Sequence, residues 1–270
     1  MRRQITGFSN PTVKYLRSLR DKKHRRRSGQ FLVEGLRLLE DARASGRVPR
    51  ILVMAEGNER AAAGHAVLAR LEQAVVAAGG EILATTPDIL SKITGKDNPQ
   101  SVAGVFDEWD TGLGALDRTA APLWLVAQAL RDPGNLGTML RTCDAVGAGG
   151  LILIDDCADP FSAEAVRASM GALFTVGLAQ ARWEEFTAWL RAGEGQLVAA
   201  SLRDAVPYRG AGYRAPCFIL VGNESQGLPE AYEAECDLRV TMPMRGRADS
   251  LNAAVAGAVL AYEVLAALER

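Results

Sequence analysis

The sequence predicts an α/β fold in two parts, a small α/β domain followed by a larger one built around a mostly parallel sheet. Short apolar runs alternate with stretches of helical spacing along nearly the whole chain. Two of the runs, Leu151-Ile152-Leu153-Ile154 and Phe218-Ile219-Leu220-Val221, are continuous, as in strands buried on both faces of a parallel sheet. Residues 107–121 break the pattern with Gly, Asp and Thr and little apolar periodicity, which places a linker there, between domains at 1–106 and 122–270.

In the first domain Asn10 caps and Pro11 opens a helix that carries Val13 and Leu16 at helical spacing. A strand at 31–35, a helix at 36–44, a strand at 51–54 and a helix at 66–78 follow. Apolar residues at 82–84, a short helix around Ile89 and a strand at 102–106 complete it. The second domain has strands at 123–127, 151–154, 197–200, 218–221 and 238–241, helices between them, and a closing helix from about residue 250 to 268.

At 270 residues and 48% hydrophobic content, the chain can bury a core in each domain. No apolar run approaches the roughly 20 residues needed to span a bilayer, and the start is polar, so a soluble cytoplasmic protein with no membrane partner is expected. Cys143, Cys157, Cys217 and Cys236 form no C-x-x-C pair, and the only histidines are His24 and His65. These argue against a zinc site and a His-dependent triad, and a reducing compartment argues against disulfides; no metal is expected. The net charge of -1 hides an asymmetry: residues 1–30 hold ten Lys or Arg against one acid, Asp21. Such polarity suggests a polyanionic partner met by Lys14, Arg17, Lys22, Lys23, Arg25, Arg26 and Arg27, although a charge run also describes a solvated face.

Three loops follow predicted strands, where an open α/β sheet places its ligand. Asp132-Pro133-Gly134-Asn135-Leu136-Gly137 turns into a helix with Asn135 near its start and Arg141 about two turns in. Val221-Gly222-Asn223-Glu224 ends a buried strand in polar residues, and Gly222 permits close approach of a ligand. Met242-Pro243-Met244-Arg245-Gly246-Arg247-Ala248-Asp249-Ser250-Leu251-Asn252 runs from a strand through a proline to a helix with Asp249 or Ser250 as N-cap. Read alone, each segment also describes nothing more than a capped turn or helix. Gly147-Ala148-Gly149-Gly150 follows a helix and precedes a strand, the reverse of a dinucleotide-binding turn.

In this order, D-P-G-N-L-G-x-x-x-R-T, V-G-N-E-x-x-G-L and M-P-M-x-G-x-x-x-S-L-N resemble the SpoU/TrmH family of the SPOUT superfamily, over residues 123–270. Residues 31–35 and 98–105 more weakly resemble that family's RNA-binding extension, which is similar to kink-turn-binding ribosomal proteins. The resemblance implies a deep trefoil knot, a homodimer, and S-adenosylmethionine-dependent methylation of a ribose 2'-hydroxyl in RNA, ribosomal in preference to transfer RNA. It further implies that Gly222, Met242 and Leu251 contact the cofactor and that Arg141, Asn135, Glu224, Ser250 and Asn252 are the polar active-site positions. A guanidinium is a permanent cation in proteins, so stabilising charge suits Arg141 better than acting as a base. Rival readings are a tRNA methyltransferase of the same family, methyl transfer to a base nitrogen, and a noncatalytic RNA-binding or ribosome-assembly factor.

Overall fold

A computed structural model describes residues 2–56, 62–223 and 226–269. The chain divides into two compact units, Met1–Trp109 with Phe161–Phe174, and Asp110–Pro160 with Thr175–Arg270.

The first unit contains β1 (Arg2–Ile5), α1 (Pro11–Ser18), α2 (Lys22–Ser28), β2 (Gln30–Glu34), α3 (Leu36–Ala44), β3 (Ile51–Ala55), α4 (Ala62–Ala77), β4 (Glu81–Thr85), α5 (Pro87–Thr94) and β5 (Val102–Asp107). Its sheet has the order β1-β4-β3-β5-β2, parallel from β1 to β3 and antiparallel across β5 and β2. The Asn10 side chain accepts from the Thr12 amide at the start of α1, which turns Val13 and Leu16 into a core with Leu83, Ile89 and Val105. Two elements carry no apolar signature. β1 is an edge strand in which only Ile5 is buried. α2 holds the basic run as a helix between Asp21, whose carboxylate accepts from the Lys23 amide at 2.7 Å, and the left-handed Gly29. Caps and a sheet edge satisfy these backbones, so burial periodicity does not reveal them.

The remaining elements are β6 (Leu123–Gln128), α6 (Pro133–Val146), β7 (Gly150–Ile154), α7 (Ala163–Ser169), β8 (Gly177–Ala181), α8 (Trp183–Arg191), β9 (Gln196–Ala200), β10 (Val206–Pro207), β11 (Cys217–Val221), α9 (Glu230–Ala234), β12 (Leu238–Thr241) and α10 (Ala253–Leu268). All except α7 lie in the second unit. Its sheet has the order β10-β12-β9-β11-β6-β7-β8 and is parallel at every pairing. Strands β6, β7 and β11 bury every residue, the two-sided burial that continuous apolar runs require. On one side Trp124 stacks on Phe218, with ring centroids 5.8 Å apart, and α8 adds Trp183, Phe186 and Leu190. Helix α10 packs on α6, β6 and β11. It comes close to α6 and β11 at Gly257, where a Cβ would stand 3.3 Å from Met139 and 3.7 Å from Val221.

The glycine cluster 147–150 serves packing. Gly147 ends α6 at φ +63°, and a Cβ on Gly149 would fall 2.3 Å from the Trp124 ring.

The predicted boundaries need two corrections. Segment 161–174, placed by sequence in the second domain, belongs to the first unit, because Phe161 and Phe174 join an aromatic cluster with Phe31, Phe106 and Trp109, and Ala165 and Val166 are buried there. The linker of 107–121 is not free chain. From Asp110 it belongs to the second unit, where Leu113 and Leu116 pack on the core and the Thr111 carbonyl accepts from the Gln180 amide at 2.7 Å.

Replacing Gly149 with Ala forces the Trp124 ring out of its place against Phe218. Urea denaturation should register a loss of about 1–3 kcal/mol, and an unchanged midpoint would mean that the ring has room to move.

Candidate functional site

Neighbouring parallel strands β12, β9 and β11 end on the same side, and their carboxyl ends open on a cavity of about 360 Å³. An open parallel sheet binds ligands there. Residues 200–203 after β9, 221–223 and 226–228 after β11, and 240–242 with Met244 at the end of β12 form its walls, closed by 249–251, Ala253 and Ala256 at the start of α10.

Gly222, Met242, Leu251 and Ser250 all line this cavity. Gly222 has a structural reason beyond ligand approach. The chain folds back after β11, with the Gly227 amide donating to the Asn223 carbonyl at 2.9 Å. A Cβ on Gly222 would lie 2.6 to 2.8 Å from the Gly227 and Leu228 backbone. The Asn223 side chain donates to the Ala129 carbonyl at 2.9 Å and ties this turn to the loop after β6.

Helix α10 starts later than the sequence suggests. Neither Asp249 nor Ser250 is its N-cap; Asn252 is, with Oδ1 accepting from the amides of Ala254 at 3.0 Å and Val255 at 3.2 Å. Two donors on Oδ1 fix the orientation of the amide, and Nδ2 donates to Oδ1 of Asn135 at 2.9 Å. Asn135 sits in the first turn of α6, and its amide donates to the capping Asp132 carboxylate at 2.6 Å. The structure thus brings Asn135 and Asn252 together, although 117 positions separate them.

Arg141 is not brought to the cavity within one chain. It is exposed on α6, about 9 Å further along the axis than Asn135 at 1.5 Å per residue, and outside the lining. Glu224 lies outside the described residues.

Sequence reading missed the wall supplied by β9. Glu233, only 4% exposed, accepts from the Ser201 hydroxyl at 2.6 Å and from the Arg203 guanidinium at 3.1 Å, and all three line the cavity. The carboxyl end of β9 was the available signal, but no motif marked it.

Aliphatic Val221, Leu228, Val240 and Leu251 suit an adenine ring, while Ser201, Arg203, Asn223 and Ser250 offer polar partners to a ribose and an amino-acid end. The residues present therefore fit S-adenosylmethionine. Burial pushes Cys157 up to about 11, Cys217 and Cys236 up to about 12, and Cys143 further still, so none supplies a thiolate near neutral pH. Among the described residues no group of three or more His, Cys, Asp or Glu gathers as a metal site would, and no helix is long and apolar enough to cross a membrane.

In the first unit Lys14 and Arg17 are exposed on α1, and Lys23, Arg26 and Arg27 on α2, with Lys22 partly so. Arg25 needs correcting. It is 4% exposed, and its guanidinium donates to the Leu19 carbonyl at 2.9 Å and the Arg20 carbonyl at 2.8 Å, so it is buried and satisfies the end of the preceding segment.

The profile of the SpoU rRNA Methylase family matches residues 122–262. The chain belongs to that family. The profile of an MRM3-like substrate binding domain matches residues 10–104. Among SpoU relatives, the chain is 30% identical over 263 residues to the 23S rRNA (guanosine(2553)-2'-O)-methyltransferase RlmP of Bacillus subtilis, covering 97% of this chain and 99% of that one. It is 28% identical over 270 residues to a 23S rRNA (uridine(2479)-2'-O)-methyltransferase of Streptomyces viridochromogenes, covering 97% and 92%. An AdoMet-bound rRNA methyltransferase from Sinorhizobium meliloti has a similar structure, with a TM-score of 0.91 and 38% identity over 99% of this chain and 98% of that one.

Arg25→Ala should lower stability by about 1.5–3 kcal/mol, the range for hydrogen bonds to a charged group. Arg26→Ala and Arg27→Ala should leave the melting temperature unchanged and weaken RNA binding in a filter assay; equal loss of stability in all three would contradict the distinction.

Proposed function

We propose that this SpoU-family protein transfers a methyl group from S-adenosylmethionine to a ribose 2'-hydroxyl of RNA, and that the RNA is 23S ribosomal RNA. The reading rests on the cavity at the ends of β12, β9 and β11, with Asn252, paired to Asn135, standing between two residues of its lining. Two relatives spanning nearly the whole chain are named for the same ribose position on different bases, guanosine and uridine, which favours ribose over a base nitrogen as acceptor. Both names specify 23S rRNA, which favours ribosomal over transfer RNA.

The bound cofactor supplies an activated methyl group on a sulfonium. The protein's part is to hold the hydroxyl oxygen in line with that methyl and to ease departure of the hydroxyl proton. Gly222, Met242 and Leu251 hold the cofactor as parts of its cavity wall. Asn135, Asn252 and Ser250 orient the reacting ribose, and Glu224 is assigned beside them from the V-G-N-E motif. Arg141 remains a cation; it grips the adjacent phosphate and stabilises negative charge developing on the oxygen.

A homodimer belongs to the same reading. Val255, Val259 and Tyr262 form an exposed apolar stripe at helical spacing on α10, which supports a second copy packed there. Arg141, exposed on the neighbouring α6, would then serve a centre completed by two chains. The knot is supported by sheet order: the chain passes from β11 to β12 beyond β9, and α10 then returns onto β11 and β6. The first unit is assigned a kink-turn-protein-like role in RNA binding, and the enzyme is placed in the cytoplasm with its substrate.

Incubation with labelled S-adenosylmethionine and total RNA, followed by alkaline digestion, should give one alkali-resistant position in 23S rRNA. Label in an alkali-labile position, or none, would overturn the reading. Arg141→Ala should reduce turnover at least 100-fold while cofactor affinity, measured by calorimetry, stays nearly unchanged; retained turnover would remove Arg141 from the site.

A further inference from the structure

Away from the exposed faces of α1 and α2, the first unit has a second concentration of positive charge. It lies in a small cleft where the end of α1, β2, α3, the end of α5 and α7 meet. Leu19, Leu32, Leu38 and Val166 give the cleft apolar walls, and Arg20, Lys96 and Arg167 line it as cations. Lys96 is paired with Glu34, so its charge is answered. Arg20 and Arg167 are exposed, and among the described residues neither guanidinium makes a hydrogen bond or ion pair.

Arg20 is nonetheless held in place. A Cβ on Gly95 would fall 2.1 Å from its Cζ, so the guanidinium rests on the residue that ends α5, a position at φ +73° that already favours glycine. The cleft therefore gathers three cations against one acid. Like charges brought together repel, and an anion between them relieves the repulsion. A guanidinium presents N–H donors in a planar fork that matches phosphate oxygens.

We propose that this cleft is a phosphate site for the RNA backbone, with Arg20 and Arg167 as its donors. The proposal rests on the RNA-modifying reading above and adds a contact outside the basic run of residues 14–27. It also gives the transposed segment a function. Arg167 comes from 161–174, which lies between β7 and β8 in sequence but belongs to the first unit, so the lent segment carries part of the RNA grip.

The test uses full-length protein and a 23S rRNA transcript, with Kd measured against KCl concentration for the wild type, Arg20→Gln, Arg167→Gln and Arg167→Lys. Each Gln variant should lower the slope of log Kd on log salt by about 0.7–0.9, one phosphate contact, and Arg167→Lys should restore it. Melting temperature and cofactor affinity should not change. Inorganic phosphate, titrated separately by calorimetry, distinguishes the source of the anion. Unaltered slopes in the Gln variants overturn the proposal, whether or not inorganic phosphate binds the wild type; binding that Arg167→Gln abolishes would assign the cleft to small anions. Failure of the wild type to bind the transcript would instead overturn the RNA reading itself.

Discussion

The amide of Asn252 holds the candidate active centre together. Its oxygen caps α10, and its nitrogen reaches Asn135 in the first turn of α6. One side chain thus fixes the starts of two helices that pack against each other and against β6 and β11. A helix start carries partial positive charge, so the convergence of two of them favours a phosphate or a developing oxyanion nearby. Asp132 and Asn252 each supply a cap, and the Asn252–Asn135 contact sets the two side chains in a fixed mutual orientation.

That convergence depends on the sheet. Because every pairing in the second unit is parallel, strand carboxyl ends gather on one edge, and the cavity forms where β12, β9 and β11 end together. Two glycines keep its walls in position. Gly222 allows the chain to fold back on Gly227 and Leu228, and Gly257 lets α10 settle close to Met139 and Val221. The buried Glu233 holds the wall after β9 by gripping Ser201 and Arg203. The cavity is thus shaped mainly by backbone and short-range packing, which suits a cofactor recognised along its length more than at one charged group.

Much of this was legible in the residues. Continuous apolar runs located β7 and β11, and the alternation located β2, α3 and β3. Asn10 with Pro11 marked the start of α1. What escaped had physical causes. The helix α2 is built of basic residues and held by its caps, Asp21 and Gly29, so it has no apolar face to read. Arg25 resembles its exposed neighbours in sequence, and only the position of the Leu19 and Arg20 carbonyls makes it buried. Segment 161–174 has ordinary helix and loop signals; its destination is decided by aromatic partners more than fifty positions away in Phe31, Phe106 and Trp109. Three polar residues within four positions, Asp249, Ser250 and Asn252, could each cap α10, and the contact with Asn135 accompanies the last of them.

The central claim is that Asn252 serves the reacting centre and not only its helix. Asn252→Ser tests it most directly, because Ser remains a good N-cap but is too short to reach Asn135. Single-turnover methyl transfer should slow by about 100-fold, the cost of slightly misplacing reacting groups, with cofactor affinity retained and stability reduced by no more than about 1.5 kcal/mol. A methyl-transfer rate equal to that of the wild type, in a stably folded variant, would contradict the account.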